Sequence, residues 1–279
     1  MGWRLTGVDT YNTPFLDKPL PSIDVTRDGD IATVSLNNPG KLNAITVAMW
    51  RELARAMREL SADDGLRSIV LRGAGDEAFA AGADIAEFAS ARNDFAQGKI
   101  YHLEYVAGAL DAVGECRHPT VALIKGPCVG GGFEIACQCD LRISGRSGRF
   151  GVPINRLGFP IAYGELAGLL ALAGRAVAAE ILLEGRVWNA DEAMAKGLLS
   201  RVVPDDKVEQ EAYATARRIA DGAPLVARWH KQYIRRLMPH GAPLTPVEID
   251  ANFDYFKTED YRIGYAAFIN KKKPKFEGR

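Results

Sequence analysis

The amino-acid sequence predicts an α/β core followed by an α-helical C-terminal part. Up to about residue 160, short apolar or alternating runs typical of strands take turns with longer segments of helical periodicity. Residues 119–124 form a mostly apolar run between turn residues, which is the pattern of a strand buried on both faces. From about Ala162 onward, nearly every pattern is helical. Strands that alternate with helices indicate an α/β layer architecture, and the later helices indicate an appendage to it.

The first elements follow from hydrophobic periodicity. Residues 1–21 show none, and we expect a peripheral arm there. Residues 23–26 and 31–36 alternate apolar and polar side chains about a turn at 28–30, which predicts a β-hairpin. Between residues 46 and 61 the apolar side chains fall on one helical face, as in a helix packed on a sheet.

The later elements follow from the same rules, with glycine as a terminator. Ser68–Gly73 is predicted as a strand, and residues 86–116 as a helix interrupted near Gly98. A glycine just after a periodic segment is typical of a helix end, as at Gly185. The remaining predicted elements are a strand, turn and strand over 141–150, a short capped helix over 189–197, and helices over 175–184, 208–220 and 225–237.

Charge and hydropathy exclude two classes of partner. The chain has 279 residues and a formal net charge of zero, and its basic side chains are spread out until the last ten positions. Binding to duplex nucleic acid needs a concentrated basic surface, so we expect no nucleic-acid partner. No apolar run approaches the length of a membrane span, and the N-terminus does not resemble a signal peptide, so we expect no membrane partner.

Cysteine and histidine usage indicates a cytoplasmic protein without a metal site. The four cysteines have no paired C-x₂-C spacing and lie in apolar or strand contexts. We therefore expect reduced, buried thiols rather than a disulfide framework or a zinc site. The four histidines are scattered and form no H-E-x-x-H motif, so we expect no metal ion.

Three consecutive glycines, Gly130, Gly131 and Gly132, stand where the strand over 119–124 gives way to a helix over 133–139. A helix N-terminus offers unpaired N–H groups and the positive end of the helix dipole, which suits an anion or an oxyanion. Glu134 places a carboxylate in the first turn of that helix. An oxyanion site beside a carboxylate indicates proton transfer next to a carbonyl group. The alternative is tight packing at the glycines and a dipole-stabilised glutamate.

A second segment with small side chains surrounds Gly82. Residues 78–85 are rich in alanine, which indicates that the backbone there comes close to another group and leaves no room for side chains. Close packing at a strand end is the alternative explanation.

Six short stretches, in order along the chain, match one known family. They are residues 40–44 (GKLNA), 79–85 (FAAGADI), 126–136 (GPCVGGGFEIA) with Asp140, 185–187 (GRV), 195–199 (AKGLL) and the ending 268–279. In this order and spacing they resemble the crotonase (enoyl-CoA hydratase/isomerase) family from about Ile23 to the end of the chain.

The resemblance implies an acyl-CoA enzyme of fatty-acid metabolism with a ββα superhelical (spiral) core and a C-terminal α-helical region. Residues 22–200 would form the core, and residues 201–279 would serve trimerisation and close the CoA pocket. The expected assembly is a homotrimer or a dimer of trimers. The expected substrate is an acyl-CoA thioester, and no cofactor is expected beyond the coenzyme A of the substrate.

The resemblance also assigns roles to individual residues. The thioester carbonyl would be held by the N–H groups of Ala83 and Gly131, with Glu134 as the acid/base. The other residues expected to contact the substrate or its CoA are Lys41, Ala81, Asp84, Ile85, Gly130, Ile154, Phe268 and Lys271. Ala81 and residues 83–85 would line the adenine and pantetheine path, and Lys41, Phe268 and Lys271 to Lys273 would flank the nucleotide phosphates. For the basic tail, a solvated surface is the alternative explanation.

One position departs from the family's hydratases, because their second catalytic glutamate falls on Ile154. Three readings follow. The first is a hydratase-like or isomerase-like enzyme that uses Glu134, with Tyr163, Glu165, Asp84 or Glu87 supplying any second function; a double-bond shift needs only one base. The second is another reaction through a thioester enolate, such as decarboxylation or hydrolysis. The third is a non-catalytic acyl-CoA binder.

Overall fold

A computed structural model of the chain describes residues 20–222, 224–237, 245–251, 253–272 and 274. The predicted arm over residues 1–21 therefore lies almost wholly outside the described residues, as does Lys273.

The described residues contain two β-sheets. Their strands are β1 Ser22–Asp28, β2 Ile31–Asn37, β3 Ser68–Gly73, β4 Thr120–Ile124, β5 Pro127–Val129, β6 Leu141–Gly145, β7 Arg149–Gly151, β8 Trp188–Asn189 and β9 Arg201–Val203. The larger sheet has six strands in the order β1-β2-β3-β4-β6-β9, with β1 and β2 antiparallel and the remaining pairs parallel. The smaller sheet has the order β5-β7-β8.

Helices cover the sheets and form the C-terminal part. They are α1 Val47–Ala62, α2 Phe88–Ala91, α3 Phe95–Ile100, α4 Ala107–Glu115, α5 Gly131–Gln138, α6 Tyr163–Glu184, α7 Ala190–Ala195, α8 Val208–Ala220, α9 Pro224–Leu237, α10 Pro246–Ala251 and α11 Glu259–Ile269. Shorter turns of 3₁₀ helix occupy Ile85–Glu87, Pro153–Leu157 and Asp254–Lys257, and Tyr101–Val106 is a π-helical segment. The mixture of helices and sheets confirms the predicted α/β class.

The predicted hairpin and the helix after it are confirmed. Strands β1 and β2 pair in antiparallel register, with Val25 opposite Val34. Helix α1 begins after Thr46, whose side-chain Oγ1 accepts a 3.1 Å hydrogen bond from the Met49 N–H. This side-chain cap satisfies one of the N–H groups that a helix start leaves unpaired, which explains why the helix begins there.

Strand β4 is buried on both faces, as its apolar run predicts. All five of its residues are buried. Ala122 and Ile124 join a large hydrophobic core with α1, α4 and α5, whereas Val121 and Leu123 join a second core under α8. A central parallel strand covered by helices on both sides has no polar face to display, so its sequence does not alternate.

The predicted interruption near Gly98 is wrong in position. Gly98 lies inside α3, where an added Cβ would come within 2.1 Å of the Phe256 ring, so packing explains this glycine. The helix breaks instead at Arg92, with φ −152° and ψ 45°, and restarts after Asp94. The Asp94 carboxylate caps α3 by accepting a 2.9 Å hydrogen bond from the Gln97 N–H.

The prediction that no apolar run approaches the length of a membrane span is wrong for the described residues. Among the described helices, α6 has that length and composition, with 22 residues and a mean hydropathy of 1.9 over its most apolar window. Its backbone, however, leaves the helical conformation at Gly174, with φ 69° and ψ 171°. Each half therefore spans only about 15 Å, roughly half the thickness of the hydrocarbon layer.

The chain after residue 200 contributes to the core. Strand β9 pairs in parallel with β6 and completes the larger sheet. Helix α8 then packs Val208, Ala212 and Ala216 against the same sheet. The division of the chain at residue 200 stays a prediction, and the last strand of the larger sheet lies beyond that boundary.

Candidate active site

Helix α5 begins at the predicted glycine run. Gly130 precedes it with φ 51° and ψ −127°, a conformation that side chains with a Cβ rarely adopt. The carbonyl of Gly130 accepts a 2.9 Å hydrogen bond from the N–H of Glu134. This bond closes the first turn of the helix, which carries the Glu134 carboxyl group.

The two segments with small side chains meet at Gly82 and Gly130. A Cβ on Gly130 would lie 3.5 Å from the Cα of Gly82, whose own φ is 101°. The residues that follow these glycines are Ala83 and Gly131. Within the described part of the chain, neither of their N–H groups has a backbone acceptor. The fold thus brings together two backbone segments that each carry an available N–H group.

Packing also constrains the glycine run. A Cβ on Gly132 would lie 2.5 Å from the carbonyl oxygen of Ala80 and 2.8 Å from its Cβ. A Cβ on Gly131 would lie 2.8 Å from the Trp50 ring. Tight packing therefore explains Gly131 and Gly132, while Gly130 provides an unusual backbone conformation. The oxyanion site stays a prediction.

A cavity of about 400 Å³ opens beside the start of α5. Its size is within the range of small-molecule sites. Most of its wall is apolar, and the polar side chains that line it include Glu134, Glu165, His102 and Arg92. The remaining lining residues are Trp50, Ala81, Gly82, Ala83, Ile85, Phe88, Tyr101, Val106, Val129, Gly130, Gly131, Pro153, Ile154, Arg156, Leu157, Phe159 and Phe268.

Most residues that the sequence assigned to the site line this one cavity. Lys41, Asp84 and Lys271 do not. Lys41 Nζ donates a 2.7 Å hydrogen bond to Asp84 Oδ2, with half of the lysine side chain exposed and the aspartate buried. Asp84 also accepts from the Ala86 N–H and caps the 3₁₀ turn that follows. Lys271 is exposed at the end of α11.

The Glu134 carboxyl group is shielded from water. Its residue is 6% exposed. Burial, together with the neighbouring charge of Glu165, raises the pKa of Glu134 well above its ordinary value. A carboxyl group with a raised pKa in an apolar cavity can carry a proton near neutral pH and exchange it with a bound molecule.

Glu165 is the second carboxyl group of the cavity. Its Oε1 lies 2.5 Å from His102 Nδ1, and its Oε2 accepts a 3.2 Å hydrogen bond from the Ala162 N–H. Burial would raise the pKa of Glu165, but the attraction and hydrogen bond of His102, the Ala162 N–H and the Arg92 charge outweigh burial and lower it. The cavity therefore contains two carboxyl groups whose pKa values are shifted in opposite directions.

Arg92 is a buried cation in an aromatic enclosure. Its residue is 1% exposed, and its guanidinium lies 4.2 Å from the ring centroids of both Phe88 and Phe159. These contacts are cation–π interactions, which strengthen when the cation is desolvated. Arg92 stands at the break between α2 and α3 and lines the cavity.

The other proposed partners of Glu134 have different positions. Tyr163 is 43% exposed and does not line the cavity. The Glu87 carboxylate accepts a 2.7 Å hydrogen bond from the Val47 N–H at the start of α1. Of the residues named as possible second groups, Glu165 is the one that lines the cavity with Glu134.

Sequence reasoning missed His102, Tyr101 and Arg92. The histidine stood among four scattered ones, with no motif around it. In the structure, the π-helical segment over Tyr101–Val106 presents both Tyr101 and His102 to the cavity. Segments of π-helix are rare and often accompany functional sites, but hydrophobic periodicity does not predict them.

The described residues offer no metal centre. No group of three His, Cys, Asp or Glu side chains in that part of the chain could hold a metal ion. The four cysteines are free and buried, and burial raises the pKa of Cys139 to about 12.

The chain is similar to known proteins over nearly its whole length. The family model described as enoyl-CoA hydratase/isomerase matches residues 26–279. A probable enoyl-CoA hydratase of Rhizobium meliloti (strain 1021) is 35% identical over 261 residues, which cover 91% of this chain and 97% of that protein. A solved enoyl-CoA hydratase/carnithine racemase from Magnetospirillum magneticum is 50% identical with a TM-score of 0.77, covering 94% of this chain and 97% of that one. A solved methylmalonyl-CoA decarboxylase in complex with 2-nitronate-propionyl-CoA is 25% identical with a TM-score of 0.81, and the match covers 92% of this chain and 98% of that one.

The fold and these similarities define an α/β protein of the crotonase class. The chain belongs to the enoyl-CoA hydratase/isomerase family, and it is an acyl-CoA enzyme of that family. The resemblance drawn from the six sequence stretches is thereby confirmed, and the alternative of a non-catalytic binder is not supported.

Proposed function

We propose that the enzyme transforms an enoyl-CoA thioester through an enolate, in the manner of an enoyl-CoA hydratase or isomerase. The N–H groups of Ala83 and Gly131 hold the thioester oxygen, and Glu134 moves the α-proton. The observation that carries this proposal is the buried Glu134 carboxyl group, with its raised pKa, in the same cavity as two N–H groups without backbone acceptors.

The chemistry requires both the two N–H donors and the Glu134 carboxyl group. Removal of an α-proton leaves negative charge that spreads onto the thioester oxygen, and two N–H donors in a water-poor cavity stabilise that charge. The loss of one such donor typically lowers a rate by about 10²- to 10³-fold. Glu134 accepts the proton when ionised and returns it when protonated, so one residue can serve both halves of a double-bond shift.

The CoA part of the substrate is proposed to follow the edge of the cavity. Ala81 and Ile85 line the cavity, and their surfaces suit the pantetheine and the adenine, while Phe268, which also lines the cavity, would flank the nucleotide phosphates. Lys41 and Lys271 supply positive charge for the phosphates from outside the cavity. The ion pair with Asp84 holds the Lys41 ammonium near this edge while leaving half of the side chain in water.

The test uses proton exchange at the α-carbon. The purified protein is incubated in deuterated buffer with crotonyl-CoA, a 3-enoyl-CoA or the saturated butyryl-CoA, and the products are followed by mass. We expect Glu134→Gln to lose deuterium incorporation by at least about 10²-fold, since it cannot accept a proton, while the CoA ester still binds. Exchange at the wild-type rate in this variant would remove Glu134 from the mechanism.

A second candidate function is decarboxylation of an acyl-CoA. The specific observation is that Ile154, an apolar residue, lines the cavity where the hydratases of the family have a carboxylate, and the fold is similar to that of a methylmalonyl-CoA decarboxylase. Loss of CO₂ forms the same enolate without a base, and a protonated Glu134 would then deliver a proton to it. Release of CO₂ from methylmalonyl-CoA, together with no reaction of enoyl-CoA esters, would favour this candidate.

A further inference from the structure

Glu165 and His102 form a buried pair in the wall of the cavity. Each residue is 5% exposed, and the carboxylate and the imidazole are 2.5 Å apart although they lie 63 positions apart in the chain. An ionised carboxylate only accepts hydrogen bonds, so Nδ1 of His102 carries the proton in this pair. The Ala162 N–H holds the second carboxylate oxygen. The carboxylate is therefore fixed from two directions.

Helix capping does not by itself account for this arrangement. A glutamate in the first turn can accept the N–H of the residue before the helix while it stays in water. Here the carboxylate and its histidine are both withdrawn from water, which is unfavourable for a charged group unless other interactions compensate. Buried titratable groups that line a cavity and have shifted pKa values are typical of catalytic sites.

The pair also acts on Glu134. Both carboxyl groups line the same cavity, and the charge of Glu165 contributes to the raised pKa of Glu134. Two carboxyl groups whose surroundings separate their pKa values are suited to opposite roles, the one with the higher pKa as the acid and the one with the lower pKa as the base.

We propose that Glu165 is a second catalytic acid–base residue, oriented by His102 as a positioning residue, and that it takes the place of the carboxylate missing at Ile154. This inference rests on the proposed function. It makes the enzyme a hydratase that adds water to the double bond of an enoyl-CoA, rather than an isomerase that works with one base.

The proton transfers balance. Glu165 removes a proton from a water molecule as the water oxygen bonds to the β-carbon of the enoyl-CoA. The electron pair of the double bond moves toward the thioester oxygen held by Ala83 and Gly131. Glu134 then gives its proton to the α-carbon, and the thioester carbonyl re-forms. Glu165 ends protonated and Glu134 ionised, and proton exchange with solvent restores both. The reverse steps dehydrate a 3-hydroxyacyl-CoA.

The deciding experiment measures two reactions on the same full-length variants. Hydration of crotonyl-CoA and trans-2-hexenoyl-CoA needs both carboxyl groups, whereas α-deuterium exchange into butyryl-CoA needs Glu134 and the two N–H groups. We expect Glu165→Gln to lower kcat for hydration by about 10²- to 10⁴-fold, with KM within about threefold. Exchange into butyryl-CoA should persist within about tenfold, which also shows that the variant folds.

Three further variants separate catalysis from structure. Tyr163→Phe removes a hydroxyl group from the same turn of α6, outside the cavity, and should hydrate at the wild-type rate. His102→Ala should lower hydration strongly, whereas His102→Asn, whose amide nitrogen can occupy the place of Nδ1, should recover it to within about tenfold of wild type. A structural role alone would give equal losses in both reactions and no selective recovery.

The pH dependence provides an independent measurement. Among the described residues, Glu134 shares the cavity with five titratable or charged groups, which are Glu165, His102, Arg92, Arg156 and Tyr101. Because the Glu165 charge raises the pKa of Glu134, its removal should shift the acidic limb of α-exchange to lower pH in Glu165→Gln.

The outcomes distinguish a failure of the proposed function from a failure of the role assigned to Glu165. A wild-type protein that neither exchanges the α-proton of butyryl-CoA nor acts on enoyl-CoA esters would overturn the proposed function. A wild-type protein that exchanges but does not hydrate either enoyl-CoA, or a Glu165→Gln variant that hydrates like wild type, would leave the proposed function standing and overturn the role of Glu165.

Discussion

Glu134 is a carboxyl group largely withdrawn from water, and its position lowers the stability of the folded chain at neutral pH. In an unfolded chain a glutamate ionises with a pKa of about 4.3. In the folded chain, burial and the charge of Glu165 raise that pKa. The same property that suits Glu134 to proton transfer therefore works against folding at neutral pH.

The direction of this pH-dependent change in folding stability gives a prediction for Glu134→Gln. A carboxyl group with a raised folded pKa contributes its full stability below the unfolded pKa and loses it as the pH rises through the folded pKa. Glutamine does not ionise, so it does not lose stability in this way. As the pH rises from about 4 toward the folded pKa of Glu134, the free energy of unfolding of the variant should increase relative to wild type by about 1.4 kcal/mol per unit of pKa shift. Urea unfolding of both proteins at pH 4, 6 and 8 measures this gain, and a constant difference across that range would contradict it.

At the scale of elements, the site depends on two segments that come close only because their residues are small. The N-terminal end of α5 lies against the segment around Ala80 and Gly82, with no space for another Cβ between Gly132 and Ala80. The atoms in the way are backbone and Cβ atoms, which cannot rotate aside. The position of α5 is therefore sensitive to single methyl groups.

Gly132→Ala tests this dependence. The added Cβ would lie 2.5 Å from the Ala80 carbonyl oxygen, so α5 must shift, and we expect a loss of about 1–3 kcal/mol in the free energy of unfolding. Exchange of the butyryl-CoA α-proton should fall as well, since the Gly131 N–H and Glu134 move with the helix. The matched control is Gly108→Ala in α4, where the nearest atom is the Arg58 guanidinium at 3.7 Å. The control should leave the free energy of unfolding unchanged or raise it slightly, because alanine favours the helical conformation. Equal unfolding curves for the two variants would contradict the expected displacement of α5 in Gly132→Ala.

The elements show which parts of the fold are readable from the sequence. The hairpin, α1, β3, β4 and the start of α5 were predicted because periodicity, caps and glycines are local signals. The break at Arg92 and the π-helical segment were not, because they depend on what the side chains meet in space. Glu134 was predicted as a site residue from its place after the glycines. The pairing of Glu165 with His102 joins residues 63 positions apart and has no signature in the spacing of either.

The whole molecule presents apolar side chains that its described core does not cover. On α6, Leu170 is 44% exposed and Leu183 is 79% exposed, and on α9 Trp229 is 48% exposed. Single exposed apolar side chains are common on protein surfaces, whereas large contiguous apolar patches mark interfaces between protein chains. The homotrimer or dimer of trimers expected from the family resemblance would use such surfaces, and we propose that α6 contributes to one of them.

The assembly can be measured directly. We expect the purified protein to have three or six times the chain mass of 30.3 kDa by light scattering after size-exclusion chromatography. Leu183→Glu places a charge on the exposed apolar surface of α6 and should lower the mass toward that of one chain, because burying an unpaired carboxylate in an interface opposes association. Val25→Glu, on the 45% exposed Val25 of the edge strand β1, is the control and should keep the assembly. A wild-type mass of one chain would contradict the predicted oligomer, and an unchanged mass for Leu183→Glu would place the interface elsewhere than α6.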